Sequence, residues 1–155
     1  KDRREKVSAE FDRIGILDKV VWIPGQRVNV FADPHKNVCI GNHFSHAYCL
    51  ERSRDLDYGN CLIFEDDVMF FYDRFETMDY LKYSMLDIPD NWDMFYLGAN
   101  LDRYIATRRT SHLAKLTGAF ATHAYSVKKT MYDTLISLNR DINTIHNDVA
   151  YADQI

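Results

Sequence analysis

The stretch CLIFEDDVMF, residues 61–70, sets four apolar residues against three consecutive carboxylates before the chain turns apolar again. A continuous apolar run of this length fits a strand covered on both faces, as in a parallel sheet between helix layers. In an extended chain alternate side chains point the same way, so Glu65 and Asp67 share a face and Asp66 takes the other. Carboxylates this close repel one another unless something positive stands between them. Magnesium or manganese accepts a few carboxylate oxygens and keeps positions for water and phosphate. The acids also have a plainer use. Asp66 and Asp67 could cap a helix beginning near Phe70, where the macrodipole favours negative charge. The stretch alone leaves both readings open.

Working outward, the pattern alternates between helix and strand. Val7, Phe11 and Ile14 recur at helical spacing in the opening segment, with Gly15 as a C-terminal stop. KVVWIPG (19–25) reads as a short buried strand and QRVNVFADPHKN (26–37) as a loop. A helix follows over 41–56, with Asn42 or Ser45 as its cap. After the carboxylates, Phe71, Phe75, Met78, Leu81 and Met85 form a helical stripe. WDMFYLG (92–98) and TGAFATHAYSV (117–127) read as strands, and residues 99–116 between them as a long loop. Ser126 could cap a last helix whose face carries Val127, Met131, Leu135 and Leu138. Such alternation predicts one α/β layered domain over 1–155, with a mostly parallel central sheet flanked by helices. Ligands of such sheets bind beyond the carboxyl ends of the strands, where the three acids fall.

Bulk composition narrows the function classes. Hydrophobic residues make up 46% and charged residues 27%, enough for an ordinary folded core. A net charge of −4, with basic pairs only at Arg3-Arg4 and Arg108-Arg109, argues against a nucleic-acid binder held by phosphate contacts. No stretch approaches the roughly 20 apolar residues of a membrane helix. Cys39, Cys49 and Cys61 are odd in number and lack CxxC spacing, which argues against a disulfide framework or structural zinc and fits a cytoplasmic setting. The chain starts at Lys1 without Met, as a piece of a longer protein would.

Four blocks then stand in order: a Ser-His helix in GNHFSHAYCLERSRDL, the apolar strand ending in Glu-Asp-Asp, the Trp-Asp strand ending in Leu-Gly, and the Thr-His-Ala-Tyr strand leading into a helix. This order resembles glycosyltransferase family 25, which includes lipopolysaccharide and lipooligosaccharide sugar transferases and procollagen galactosyltransferases. The resemblance covers nearly the whole chain, except that the family's first strand, usually part of the nucleotide pocket, is absent. It implies a GT-A-like fold, a nucleotide-sugar donor such as a UDP-sugar, a divalent metal (Mn2+ or Mg2+), inversion at the anomeric carbon and a glycan or glycoconjugate acceptor. Glu65-Asp66-Asp67 would be the DxD-like motif, with Asp67 on the metal and Glu65 and Asp66 shared between metal and donor.

The remaining polar residues each carry two readings. His123 could complete the metal site, since imidazole suits manganese, or be a hydrogen-bonded strand histidine. Ser45 and His46 could set a helix N-terminus near donor phosphates, or be a cap and a core histidine. An inverting transfer needs a base for the acceptor hydroxyl; Asp148, late in the chain, is the first candidate and Asp93 the second. Arg3, Arg4, Arg108 and Arg109 could meet a diphosphate, and Tyr96, Tyr104 or Tyr125 could stack on a ring. Two other function classes use the same residues: a metal-dependent phosphohydrolase, and a catalytically inert nucleotide- or partner-binding domain.

Overall fold

The computed structural model describes residues 2–106 and 113–143. Helix α1 (Asp2–Ile14) buries Val7, Phe11 and Ile14 and stops at Gly15, whose φ of 77° favours a residue without Cβ. Helix α2 (Pro34–Asp55) starts at Pro34, with the Asp33 carboxylate accepting from the His35 N–H at 2.9 Å. Strand β1 (Asn60–Phe64) leads into the acids. Helix α3 (Arg74–Asp87) follows, capped by Asp73 on the Glu76 N–H. Strands β2 (Met94–Ala106) and β3 (Ala114–Lys128) are long, and helix α4 (Tyr132–Arg140) closes the described chain.

The sheet has three strands in the order β1-β3-β2. Both neighbours run antiparallel to the central β3. The expectation of a GT-A-like, mostly parallel central sheet is therefore wrong. Between β2 and β3 lie only residues 107–113, too few for the roughly dozen residues that a parallel crossover needs. The apolar run of β1 had been tied to parallel pairing. It reports apolar contact on both faces, which Ile63 and Phe64 make here although Leu62 is about half exposed, and says nothing about strand direction.

Both faces are covered in the following way. Ile63, Tyr125 and Val127 turn toward α2 and α4, where Leu50, Tyr132 and Leu135 complete one core cluster. Ala124 turns the other way and packs with Val7 and Phe11 of α1, joined by Phe64, Phe70 and Trp22. Phe11 is the hub of that second cluster, with ring centroids 5.3 Å from Phe64 and 6.0 Å from Trp22. Alternation along β1 and β3 thus sorts every inward residue to one helix layer or the other.

Other local expectations were corrected. Residues 19–25 form no strand, only a short 3-10 turn at Leu17–Lys19 and irregular chain. Val20 and Trp22 do turn inward and Val21 outward. The period of two is real, but among the described residues no strand runs alongside to complete a ladder. Much of the loop expected over 99–116 belongs to β2 and β3, which pair Tyr104 with Leu116 and Ile105 with Lys115. This outer part of the hairpin leaves Tyr104 and Ile105 exposed, so no buried alternation marks it in the sequence. Helix α2 begins earlier than Asn42 or Ser45, neither of which caps it. Ser126 lies inside β3, where its hydroxyl donates to the Cys61 carbonyl. The expected stripe is not a buried helix face: Phe71 lies ahead of α3 and is 93% exposed, and Phe75, on α3, is 80% exposed.

One close approach fixes the segment ahead of α2. A Cβ at Gly41 would stand 2.5 Å from the Gln26 carbonyl oxygen. Glycine there lets the irregular chain lie directly on the helix. Ser45 then binds both partners: its hydroxyl donates to the Gly41 carbonyl and accepts from the Gln26 N–H, each at 2.8 Å. Among the described residues no helix is long and apolar enough to cross a membrane.

Candidate metal centre

The ladder between β1 and β3 continues one residue past β1, because the Glu65 N–H donates to the His123 carbonyl at 2.9 Å. Glu65 and His123 are therefore directly opposite, and residues so placed share a face. The chain turns at Asp66-Asp67, and Asp67 comes back to the same side. His123 Nδ1 lies 3.0 Å from Asp67 Oδ1 and 3.3 Å from Glu65 Oε2. One ligand atom from each of Glu65, Asp67 and His123 falls within 4.8 Å of the others. Asp66 points the opposite way and pairs with Arg3 of α1 at 2.9 Å. The triplet is divided as expected, but by the turn over Asp66-Asp67 and not by strand alternation, since β1 ends at Phe64; neither Asp66 nor Asp67 caps a helix, since α3 starts at Arg74 with Asp73 as its cap.

The donor set fits a hard divalent cation. Two carboxylate oxygens and one imidazole nitrogen suit manganese, and also magnesium, better than a thiolate-seeking metal. Asp67 and His123 keep about half of their side-chain surface exposed, 46% and 51%, which leaves an open flank for further oxygen ligands. His123 Nδ1 hydrogen-bonds to Asp67 and stands at ion-pair distance from Glu65; a cation would neutralise both carboxylates.

Glu65 is the most deeply set of the three and the best supported. Thr122 Oγ1 donates to its Oε1 at 2.5 Å, and His46 Nε2 stands 3.4 Å from that oxygen. Burial by itself would push the Glu65 carboxyl up. The His46 and Thr122 hydrogen bonds, with the attraction of either imidazole when protonated, outweigh burial and hold it at about 2, against an ordinary 4.5. A depressed carboxyl contributes stability above its unfolded value, and that contribution is lost as pH falls through the folded value. The difference corresponds to on the order of 3 kcal/mol. Glu65→Gln, studied with chelator present, is therefore expected to be less stable than the parent at pH 7. The gap should shrink as pH falls from about 4.5 toward 2. Urea unfolding midpoints at several pH values measure it, and a gap independent of pH would show that the carboxylate is not held in this way.

His46 is 3% exposed and lies in the middle of α2, on the helix face that also buries His43 and Leu50. The expectation that Ser45 and His46 bring a helix N-terminus to phosphates is corrected: both are interior residues, whose N–H groups are taken up by the helix. Ser45 holds the Gln26 segment instead. Tyr125, considered for ring stacking, is fully buried, and its hydroxyl lies 2.7 Å from His46 Nδ1. Thr122 was missed altogether; its one signal was its position beside His123 at the metal end of a strand. Arg3 holds Asp66, and Arg4 lies over the Trp22 ring at 4.6 Å. Asp93 precedes β2, where its carbonyl accepts from the Lys128 N–H. Lys128 pairs with Asn60, the first residue of β1, so Asp93 is at the opposite end of the sheet from the acids. Asp148, Arg108 and Arg109 lie outside the described residues.

No protein-family model matches the chain, and no curated protein matches it.

Proposed function

We propose that this chain is a divalent-metal-dependent glycosyltransferase, similar to family 25, that moves a hexose from a nucleotide-sugar donor to a hydroxyl of a glycan or glycoconjugate. The observation that carries this reading is the convergence of Glu65, Asp67 and His123. The family resemblance put Asp67 on the metal, with Glu65 and Asp66 shared between metal and donor and His123 as a candidate to complete the site; three of these four converge, from segments more than fifty residues apart. The reading rests on this site and on the order of the four sequence blocks, not on the sheet, whose strands run antiparallel.

Glu65, Asp67 and His123 would hold Mn2+ or Mg2+. When bound, such a cation supplies charge neutralisation for a departing nucleoside diphosphate. The chain's own residues set the stage for this. Thr122 and His46 occupy Glu65 Oε1, which leaves Oε2 on the side of His123. Arg3 keeps Asp66 away from the cluster, so the donor set has two carboxylates and not three. The exposed flank of Asp67 and His123 admits substrate oxygens. Positioning and fixed charge carry most of the acceleration in such a transfer. Asp148 is the proposed base for the acceptor hydroxyl, and Asp93 loses that role by its distance along the sheet. The free thiols Cys39, Cys49 and Cys61 support a cytoplasmic setting, with lipopolysaccharide or related glycan synthesis as the process served.

The test is a panel of nucleotide sugars with and without Mn2+, read by thermal shift and then by product. Expected is a metal-dependent rise in melting temperature with one donor, followed by transfer to an added hydroxyl acceptor. Metal-dependent release of phosphate from simple phosphate esters, without nucleotide-sugar binding, would favour a phosphohydrolase instead. Nucleotide binding without turnover on any donor would favour an inert binding domain.

A further inference from the structure

The buried pair behind the candidate metal centre has a direction. Tyr125 is fully buried, and β3 places it two residues from His123 on the same face of the sheet. His46 reaches it from α2, across 79 residues of chain, with Nδ1 at 2.7 Å from the Tyr125 hydroxyl and the two rings nearly parallel at 18°. The other ring nitrogen, Nε2, stands 3.4 Å from Glu65 Oε1, an ion-pair distance that a small rotation of the ring would close to a hydrogen bond. A carboxylate can only accept hydrogen bonds, so the nitrogen facing it must carry the hydrogen. In the neutral imidazole Nδ1 then presents its lone pair to Tyr125, whose O–H is the donor. Imidazole rings behind ligands are commonly held in one tautomer by such a partner, and carboxylate ligands are held in turn.

We propose that Tyr125 and His46 are positioning residues that act as a directed relay: the Tyr125 O–H donates to His46 Nδ1, and His46 Nε2–H donates to Glu65 Oε1. With Thr122 on the same oxygen, the relay commits Oε1 to the protein and leaves Oε2 as the ligand atom. Glu65 then offers one oxygen to the cation and cannot swing to offer two. This role deepens the metal-centre reading and rests on it for its consequence. The relay itself is a property of the chain alone.

The experiment has two readouts on the same sample. Long-range 1H–15N NMR of the full chain with chelator present reports the His46 tautomer. Mn2+ titration followed by electron paramagnetic resonance reports affinity. Expected in the parent is hydrogen on Nε2 and a bare Nδ1. Tyr125→Phe keeps the ring and removes the donor; it should lose the single tautomer and bind Mn2+ about tenfold more weakly. His46→Gln, whose amide can still donate to Glu65, should recover most of the affinity lost in His46→Leu. A parent spectrum with hydrogen on Nδ1 and none on Nε2 overturns the relay. So does Mn2+ affinity in Tyr125→Phe within twofold of the parent. A parent that binds no Mn2+ but shows the Nε2–H tautomer, lost in Tyr125→Phe, sinks the metal-centre reading and supports the relay as a hydrogen-bonded unit.

Discussion

Asp67→Ala is expected to weaken Mn2+ binding at least about 100-fold and to reduce sugar transfer to background. Loss of a residue that merely supports a ligand commonly costs 10–100-fold, so loss of a ligand should lie at or beyond the top of that range. Asp67 contributes the oxygen nearest to His123 Nδ1, at 3.0 Å. The fold should survive the change. Asp67 is half-exposed and stands beside another carboxylate, so its removal relieves like-charge repulsion even as it frees His123. Surface changes of this kind usually shift stability by less than about 0.5 kcal/mol. The control is the neighbouring acid. Asp66→Ala breaks an exposed ion pair with Arg3, worth about 0–1 kcal/mol, and should leave Mn2+ affinity within about threefold. Isothermal titration of both variants decides the matter. Equal losses in the two would mean that the acids act as a diffuse negative surface and that Asp67 has no ligand role.

Leu135→Ala is expected to be the most damaging of the core substitutions considered, at about 3 kcal/mol. Leu135 is fully buried at the centre of the cluster that joins α4, α2 and the sheet through Leu50, Tyr125 and Val127. Truncating a buried leucine typically costs about 2–5 kcal/mol, the transfer of the lost methyl groups plus the cavity left behind. For a chain of this size that is a fall in melting temperature of roughly 6–12 °C. Phe71→Ala is the informative partner. The period of the sequence placed Phe71 in a helical stripe, yet it stands almost wholly in solvent. Its truncation should change the melting temperature by less than about 2 °C. Calorimetry on the two variants compares them directly. A large loss for Phe71→Ala would show that the segment ahead of α3 is packed after all.

That contrast marks where the sequence was legible. Helical spacing correctly identified Val7, Phe11 and Ile14 as the inner face of α1, because a helix that buries one stripe on a sheet must repeat its apolar residues. The same spacing misled on α3, because periodicity shows that a face is apolar and not that anything covers it. Pattern also failed at 99–116. Tyr104 and Ile105 in the outer β2–β3 pairing are exposed, and strand positions exposed in this way give no buried alternation to read.

The candidate site divides in the same way. The sequence by itself suggested that Glu65 and Asp67 face together and Asp66 away; the outcome is as expected, but a turn past the end of β1 produces it and not strand pleating. It also supplied the donor types that suit a hard cation. Only the tertiary structure decided that β3 lies between β1 and β2 and runs against both. That arrangement puts His123 opposite Glu65 and brings His46 and Tyr125 together behind it. Strand direction and partner choice depend on contacts between residues far apart in the chain. Those contacts leave no mark on the local spacing of apolar and polar side chains, so neither the antiparallel sheet nor the buried support of Glu65 could be read before the chain was folded.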